Sequence, residues 1–274
     1  MLRKLATIRT VLFALVIPTG AGAQEVEQRR MLTLAPVFTD HMVVQRDREI
    51  TVWGSTAPQA EVVVTLGKIS QAGKAKGSGS FAIMLPKQAA NATGQTLTVR
   101  AKLNKRVQTV TLQDVVIGDL WLCTGQSNMR WRVNQAAQAA DLLDGADTAG
   151  LRLLDFEGTL YPSPKRYQPE FLKQLTKDNY YTTTGWRRAT RGSAETFSAV
   201  AFVFGQRLAR DAGVVIGVIH NAIGGAPMAA FLPSNCAAVP TIVKDAMQDW
   251  WQGDGYPAWC RTRIRQNLVA WFDN

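Results

Sequence analysis

From residue 32 to residue 117 the apolar positions fall in short, β-branched runs: Ile50–Gly54, Glu61–Leu66, Ser80–Leu85, Thr96–Lys102 and Arg106–Leu112. Turn-forming residues separate them, among them Ala57-Pro58 and the stretch Gly73–Gly79. Asn104-Lys105 suits a tight hairpin connection between the last two runs. Short strands at this spacing predict a β-sandwich domain over residues 30–113.

The pattern changes near Asp114. Val115–Leu122 is apolar apart from Gly118 and Asp119, which predicts a strand buried on both faces of a parallel sheet. Asp119, set inside that run, reads as a buried, hydrogen-bonded structural carboxylate. Asn134–Leu143 is Ala-rich and helix-like. Phe197, Val200, Ala201, Phe204 and Leu208 recur at helical spacing, which places them on one helical face. Arg207 and Arg210 sit near the end of that helix, where positive charge complements the dipole. Gly213 stops it, and Val214–Ile219 predicts a second buried strand. Strand, helix and strand in this order indicate an α/β unit over residues 114–274. Sites in such sheets form beyond the carboxyl ends of the strands. No internal repeat is present.

Length and charge narrow the picture. A chain of 274 residues accommodates one large or two ordinary domains, and 46% hydrophobic with 19% charged residues is a globular composition. A net charge of +10 raises the question of an anionic partner. The Lys and Arg residues are scattered, without a dense basic run, so no nucleic-acid partner is expected. The first 23 residues read as a secretory signal peptide: Arg3, Lys4 and Arg9, then apolar Val11–Pro18, then small residues Ala21-Gly22-Ala23. The alternative there is an uncleaved anchor. No later run approaches the roughly 20 apolar residues of a membrane helix, so the mature chain is expected to be secreted or periplasmic, with no membrane span.

Cys123 lies in an apolar run and reads as a buried small hydrophobe. Cys236 and Cys260 could be bridged or free. None of the three has metal-ligand spacing, so neither metal nor cofactor is expected.

Two segments follow the buried strands: Gly125-Gln126-Ser127-Asn128-Met129 and Asn221-Ala222-Ile223-Gly224-Gly225-Ala226-Pro227. Gly125 permits a tight turn before Ser127, and the following amides could face a developing oxyanion. The glycine pair leaves room for backbone N–H groups to approach a ligand. Taken alone, each segment is equally an ordinary loop.

The run Val115–Met129 resembles the nucleophile block of the sialate O-acetylesterase branch of the SGNH hydrolases. Leu34–Arg46 is similar to that family's N-terminal segment. Phe197–Ala201, with Val218–His220 and Gly224–Pro227, is similar to its next block. The resemblance extends in order from about residue 32 to 232. It implies a β-sandwich leading into an SGNH-like, three-layer αβα domain, incomplete at its C-terminus. It implies ester cleavage through an acyl-serine, with O-acetylated sialic acid or another acetylated glycan as substrate. By this resemblance Ser127 is the nucleophile, the amides of Ser127 and Gly225 form the oxyanion hole, and Gln126, Asn128 and Gly224 line the pocket. The chain departs from the family at Arg130, where an acidic residue is usual. It departs again at Ala226, Ala229 and Phe231, where Thr, an acidic residue and Trp are usual. These departures bear on substrate preference.

The family's Asp and the His three residues after it have no counterpart. The two histidines, His41 and His220, follow Phe38 and Gly217 at that spacing. Asp40 precedes His41 directly, and adjacent side chains of an extended segment point to opposite faces. His41 reads as structural and His220 as a supporting group near Ser127. Trp250–Asp254 imitates a later family block but reads as a helix end or loop, and Arg261–Phe272 reads as an amphipathic helix. The sequence therefore predicts a truncated esterase with little activity by itself. Two alternatives stand beside it: a non-catalytic glycan-binding remnant, and an acetyl xylan esterase-type deacetylase. Cleavage of the signal is expected before Gln24, so N-terminal sequencing of the exported protein should begin there, and a mature chain still beginning at Met1 would refute the signal reading.

Overall fold

The computed structural model describes residues 31–159, 168–173, 175, 179–226, 228–232 and 257–263. The signal segment, Cys236, Trp250–Asp254 and most of Arg261–Phe272 lie outside these residues. The first eight strands are β1 (Thr33–Leu34), β2 (Val43–Gln45), β3 (Ile50–Ser55), β4 (Glu61–Leu66), β5 (Ile69–Lys74), β6 (Ser80–Leu85), β7 (Asn91–Leu103) and β8 (Arg106–Gly125). Strands β1, β3 and β6 make a small antiparallel sheet. Strands β5, β4, β7 and β8 follow one another in a second sheet. Alternate residues turn inward, as the period of two requires: Ile50 and Val52, Val62, Val64 and Leu66, and Phe81, Ile83 and Leu85 are all buried. These rows from both sheets meet in one apolar core. The hairpin at Asn104-Lys105 forms as expected, with Asn104 at φ 54° and Leu103 opposite Arg106. The turn expected over Gly73–Gly79 closes at its later end, where the Gly79 amide bonds the Lys76 carbonyl at 2.8 Å. Strand β5 before it was not expected; its polar residues Ser70 and Gln71 carry no apolar alternation, and pairing with β4 extends them.

Strand β8 is 20 residues long and changes partners along its length. It pairs antiparallel with β7 up to Ile117 and parallel with β2 at Val116–Gly118. From Asp119 to Gly125 it pairs parallel with β12 (Ile216–Ala222). Strand β9 (Leu151–Gly158) lies parallel on the other side of β12, and β10 (Tyr181–Thr183) and β11 (Arg187–Arg188) pair antiparallel with β9. The large sheet is therefore mixed. Gly118 stands where β8 leaves one set of partners for the other, and a Cβ there would lie 2.0 Å from the Val215 carbonyl oxygen.

The helices are α1 (Ser127–Arg130), α2 (Ala139–Asp144), α3 (Arg191–Glu195) and α4 (Ala199–Asp211). The helix expected over Asn134–Leu143 is broken into a 3-10 turn at Val133–Gln135 and α2, because Ala136 is extended at ψ 150°. Helix α4 buries Ala201, Phe202, Gly205 and Gln206 rather than the expected Val200 and Phe204, which remain 53% and 37% exposed. The strand expected to be buried on both faces is so only over Val115–Gly118. Beyond Gly118, among the described residues, β12 alone flanks β8, and Trp121 and Leu122 are exposed. Trp121 meets Phe204 edge-on at 5.3 Å. Cys123 is half-buried rather than buried, and burial still pushes its thiol up. Cys260 is a free thiol; its candidate partner Cys236 lies outside the described residues. Among the described residues no helix is long and apolar enough to cross a membrane.

Two carboxylates clamp β8 to its surroundings. Asp119 accepts from Arg46 Nε at 2.8 Å and Nη2 at 3.2 Å, and from Gln45 Nε2 at 3.2 Å. This is the structural role expected of it, although Asp119 is half-buried rather than buried. Arg46 holds its carboxyl below the usual carboxylate range. Asp114 sits mid-strand at φ 56° and binds three side chains. Arg152 Nη1 donates to it at 2.6 Å, Arg188 Nη2 at 2.8 Å, and His41 Nδ1 lies 2.7 Å away. His41 is thus structural, as expected. Arg152, itself buried, lowers the Asp114 carboxyl far below its ordinary value against the opposing effect of burial, with His41 and Arg188 assisting. Because the folded value is depressed, Asp114 contributes its full stability above the unfolded carboxylate pKa of about 3.9, and loses it as pH falls below that. Asp114→Asn strands a buried guanidinium and is expected to cost about 3 kcal/mol in denaturant unfolding at neutral pH. The gap between variant and parent should narrow as the pH is lowered below about 4.

Candidate active site

Strands β8, β12 and β9 are parallel, so their carboxyl ends share one edge of the sheet. Gly125 at the end of β8 lies opposite Ala222 at the end of β12. The Gly125 carbonyl accepts from the Ile223 amide at 3.1 Å, which joins the serine turn to the loop carrying Gly224 and Gly225. A Cβ on Gly125 would come within 3.0 Å of Met129 Cβ; the turn is that tight. Gln126 precedes helix α1, which opens at Ser127. Gln126, Ser127 and Asn128 are exposed, Gly224 is half-buried and Gly225 is exposed at φ 82°. The Ala226 amide bonds the Ile223 carbonyl at 3.0 Å and closes the glycine turn. The two motif segments thus emerge side by side from adjacent strand ends.

Ser127 Oγ donates to Gln126 Oε1 at 3.4 Å, and an amide oxygen is no base. His220 lies on β12 beneath the turn and is 1% exposed. Its Nδ1 is 2.7 Å from Asp155 Oδ1 on β9, and its Nε2 is 3.1 Å from the Met129 carbonyl oxygen. Both ring nitrogens thus face groups other than Ser127. His41 is held at Asp114, away from these strand ends. Both histidines are therefore committed elsewhere, and His220 supports the turn.

A charged network surrounds that support. Burial works to raise the Asp155 carboxyl, but His220 and Arg132 outweigh it and hold it below the usual value. Arg132 Nη1 donates to Asp155 Oδ2 at 2.5 Å and Nη2 to Glu157 Oε1 at 3.3 Å. Arg130 Nη2 donates to the same Glu157 oxygen at 2.5 Å. Arg130, the departure in the residue after Met129, thus finds its opposite charge on β9. Asp155 and Glu157 stand two apart on one strand and face the same side. The sequence reading named neither. A Leu-rich run, Leu151–Leu154, broken only by Arg152 and followed by acidic residues at positions 155 and 157, is the signal that would have found them. Among the described residues no group of three His, Cys, Asp or Glu side chains is placed to hold a metal ion.

No family model matches the chain. Among curated proteins it is 28% identical to a sialate O-acetylesterase of Pongo abelii and 27% identical to one of Homo sapiens, in each case over 72% of this chain and 38% of the relative. Among solved structures it is similar to a carbohydrate acetylesterase from Xanthomonas citri, with a TM-score of 0.59 and 27% identity over 74% of this chain and 43% of that one. The chain thus spans less than half the length of the proteins it matches. His220→Phe, which removes the bond to the Met129 carbonyl and the bond to Asp155, is expected to destabilise the protein by about 2–4 kcal/mol in denaturant unfolding. It should also speed hydrogen exchange of the Arg130 amide, which bonds the Gln126 carbonyl; unchanged exchange would show that His220 does not hold the turn. In sequence this chain resembles the sialate O-acetylesterases, and in fold it resembles a carbohydrate acetylesterase.

Proposed function

We propose that this chain is part of a secreted or periplasmic carbohydrate O-acetylesterase, a β-sandwich joined to an SGNH-like αβα domain, with Ser127 as nucleophile. The observation that carries the reading is the pairing of Gly125 with Ala222, which sets the serine turn beside the Gly224-Gly225 loop at the carboxyl edge of the sheet. Similarity to sialate O-acetylesterases and to a carbohydrate acetylesterase supplies the reaction class. In the proposed reaction a base removes the Ser127 proton as Oγ attacks the acetyl carbonyl carbon. The amides of Ser127 and Gly225 stabilise the oxyanion. Collapse expels the sugar oxygen, which takes the proton back from the base, and an acetyl-serine remains. Water, deprotonated by the same base, then releases acetate and restores Ser127. Gln126, Asn128 and Gly224 border the acetyl group. Neither His41 nor His220 is placed as that base, because their ring nitrogens bond groups other than Ser127.

A second reading, non-catalytic glycan binding, is favoured by the same commitment of both histidines. Acetate release from O-acetylated sialic acid and from acetylated xylan tests the two and ranks the substrates. The 274-residue chain by itself is expected to turn over no faster than about a thousandth of a complete relative, the residue left by binding and oxyanion stabilisation. Any turnover should vanish in Ser127→Ala; turnover that survives the substitution refutes Ser127 as nucleophile. Saturable glycan binding, with no acetate released by a chain extended to include a base, would establish the binding-only reading.

A further inference from the structure

Beyond Gly118, among the described residues, strand β8 has a paired strand on one side only. The Asp119 amide bonds the Val215 carbonyl, toward β12, and the Leu120 amide bonds Gln45 Oε1 on the opposite side. Backbone groups alternate sides along a strand, so those of Leu122 and Thr124 point away from β12, along an edge that no described strand pairs. Apolar side chains flank this edge on both faces of the sheet. Trp121 lies on the α4 side, against Phe204, and is 44% exposed. Leu122, the next residue, faces the other way and is 65% exposed. Val200, with Val203 and Phe204 three and four residues on, extends the apolar surface along one face of α4.

Open sheet edges are commonly blunted by a lysine, a proline or a bulge. Leu120–Thr124 has none of these: its five residues are uncharged and pair with β12 in unbroken register. An edge that presents amides and carbonyls in turn is complementary to its own copy run antiparallel. Charge favours a copy at this place. The chain carries +10, so two copies repel over much of their surfaces. Here the uncharged edge is bordered by charges that are already paired, Asp119 with Arg46 and, on α4, Arg207 with Asp211. Trp121, Leu122, Val200, Val203 and Phe204 leave on the order of 400 Å² in view, about half of the ~800 Å² that each partner gives to a standard interface.

We propose that two copies of this chain pair across their β8 edges, about a two-fold axis at Leu122, so that one sheet runs through both. The Leu122 amide and carbonyl of each copy bond those of the other, as in any residue pair that exchanges both bonds of an antiparallel ladder. Leu122 meets its own counterpart on one face of the joined sheet, and Trp121 and Phe204 close over the other. The contact is isologous and therefore stops at two copies. Ser127 lies five residues beyond Leu122, so the antiparallel pairing carries the two serine turns to opposite sides of the axis and neither covers the other. The pairing requires neither turnover nor Ser127.

Sedimentation equilibrium of the intact protein tests it. A monomer–dimer equilibrium is expected, and it should tighten as added salt screens the repulsion between two basic chains. Leu122→Lys and Leu122→Glu each set like charges against one another at the axis, and each alone should weaken the dimer about tenfold or more. An equimolar mixture of the two should restore it, because Lys then faces Glu. Val203→Lys, on the exposed face of α4, should also weaken the dimer, and it gives a second reading if a Leu122 variant does not fold. A parent protein that stays monomeric across concentration and salt overturns the proposal. So do open-ended larger assemblies, a dimer undiminished in the charge variants, and a Lys–Glu mixture that associates no better than either variant alone.

Discussion

Strand β8 is the constraint on which the rest of the structure depends. Its 20 residues form one backbone ladder, and that ladder belongs first to the antiparallel sheet and then to the parallel one. Backbone donors and acceptors must be paired wherever they are buried, so a strand with partners on changing sides fixes several elements at once. Strand β2 and the Arg46–Asp119 pair brace the edge of β8 opposite β7, and Gly118 lets Val215 approach where the partners change. Asp114, at its own left-handed backbone position, gathers Arg152 from β9, Arg188 from β11 and His41 from the N-terminal segment. The place of Ser127 follows from this arrangement, because the residue lies two positions beyond the end of the same strand.

The second constraint is electrostatic. A histidine that bonds a carboxylate on one side and a carbonyl on the other is a strong support, with both ring nitrogens turned to groups other than the serine. His220 has the support role, and its neighbours make that role coherent: Asp155 and Arg132 complete its bonding, and Glu157 ties Arg130 of helix α1 into the same network. Burying these groups together is tolerable only because each charge meets an opposite one. The turn is thereby held from below by side chains on β9 and β12, while its upper surface, from Gln126 to Asn128, faces solvent.

The apolar surface divides less evenly. The face of the parallel strands beneath α4 is closed by Phe197, Ala201 and Phe202, whereas Val200, Val203, Phe204 and Trp121 remain in view. Helices α2, α3 and α4 all contribute side chains to the apolar cluster on this face. The helical period in the sequence marks a stripe, and the stripe it marks at Val200 and Phe204 is one position away from the residues that α4 buries. Apolar character on both sides of a helix leaves its rotation to be settled by what it packs on.

Local chemistry was enough to reveal the strands of the first domain, since a half-buried strand writes its alternation into neighbouring residues, as in Glu61–Leu66 and Ser80–Leu85. It marked the turns around Ser127 and Gly225 only as loops after buried strands, and the family resemblance singled those residues out. Strand β5 and the split of Asn134–Leu143 escaped it, because polar Ser70 and Gln71 are extended by a partner strand and Ala136 is extended within an otherwise helix-favouring run. The network of Arg130, Arg132, Asp155, Glu157 and His220 escaped it too. Those residues are as much as 91 positions apart, as His220 is from Met129, and only parallel pairing in register brings them together. A histidine's place in the chain says nothing of which atoms will surround it; whether His220 serves as base or as support was decided by the two acceptors that tertiary structure set against its ring.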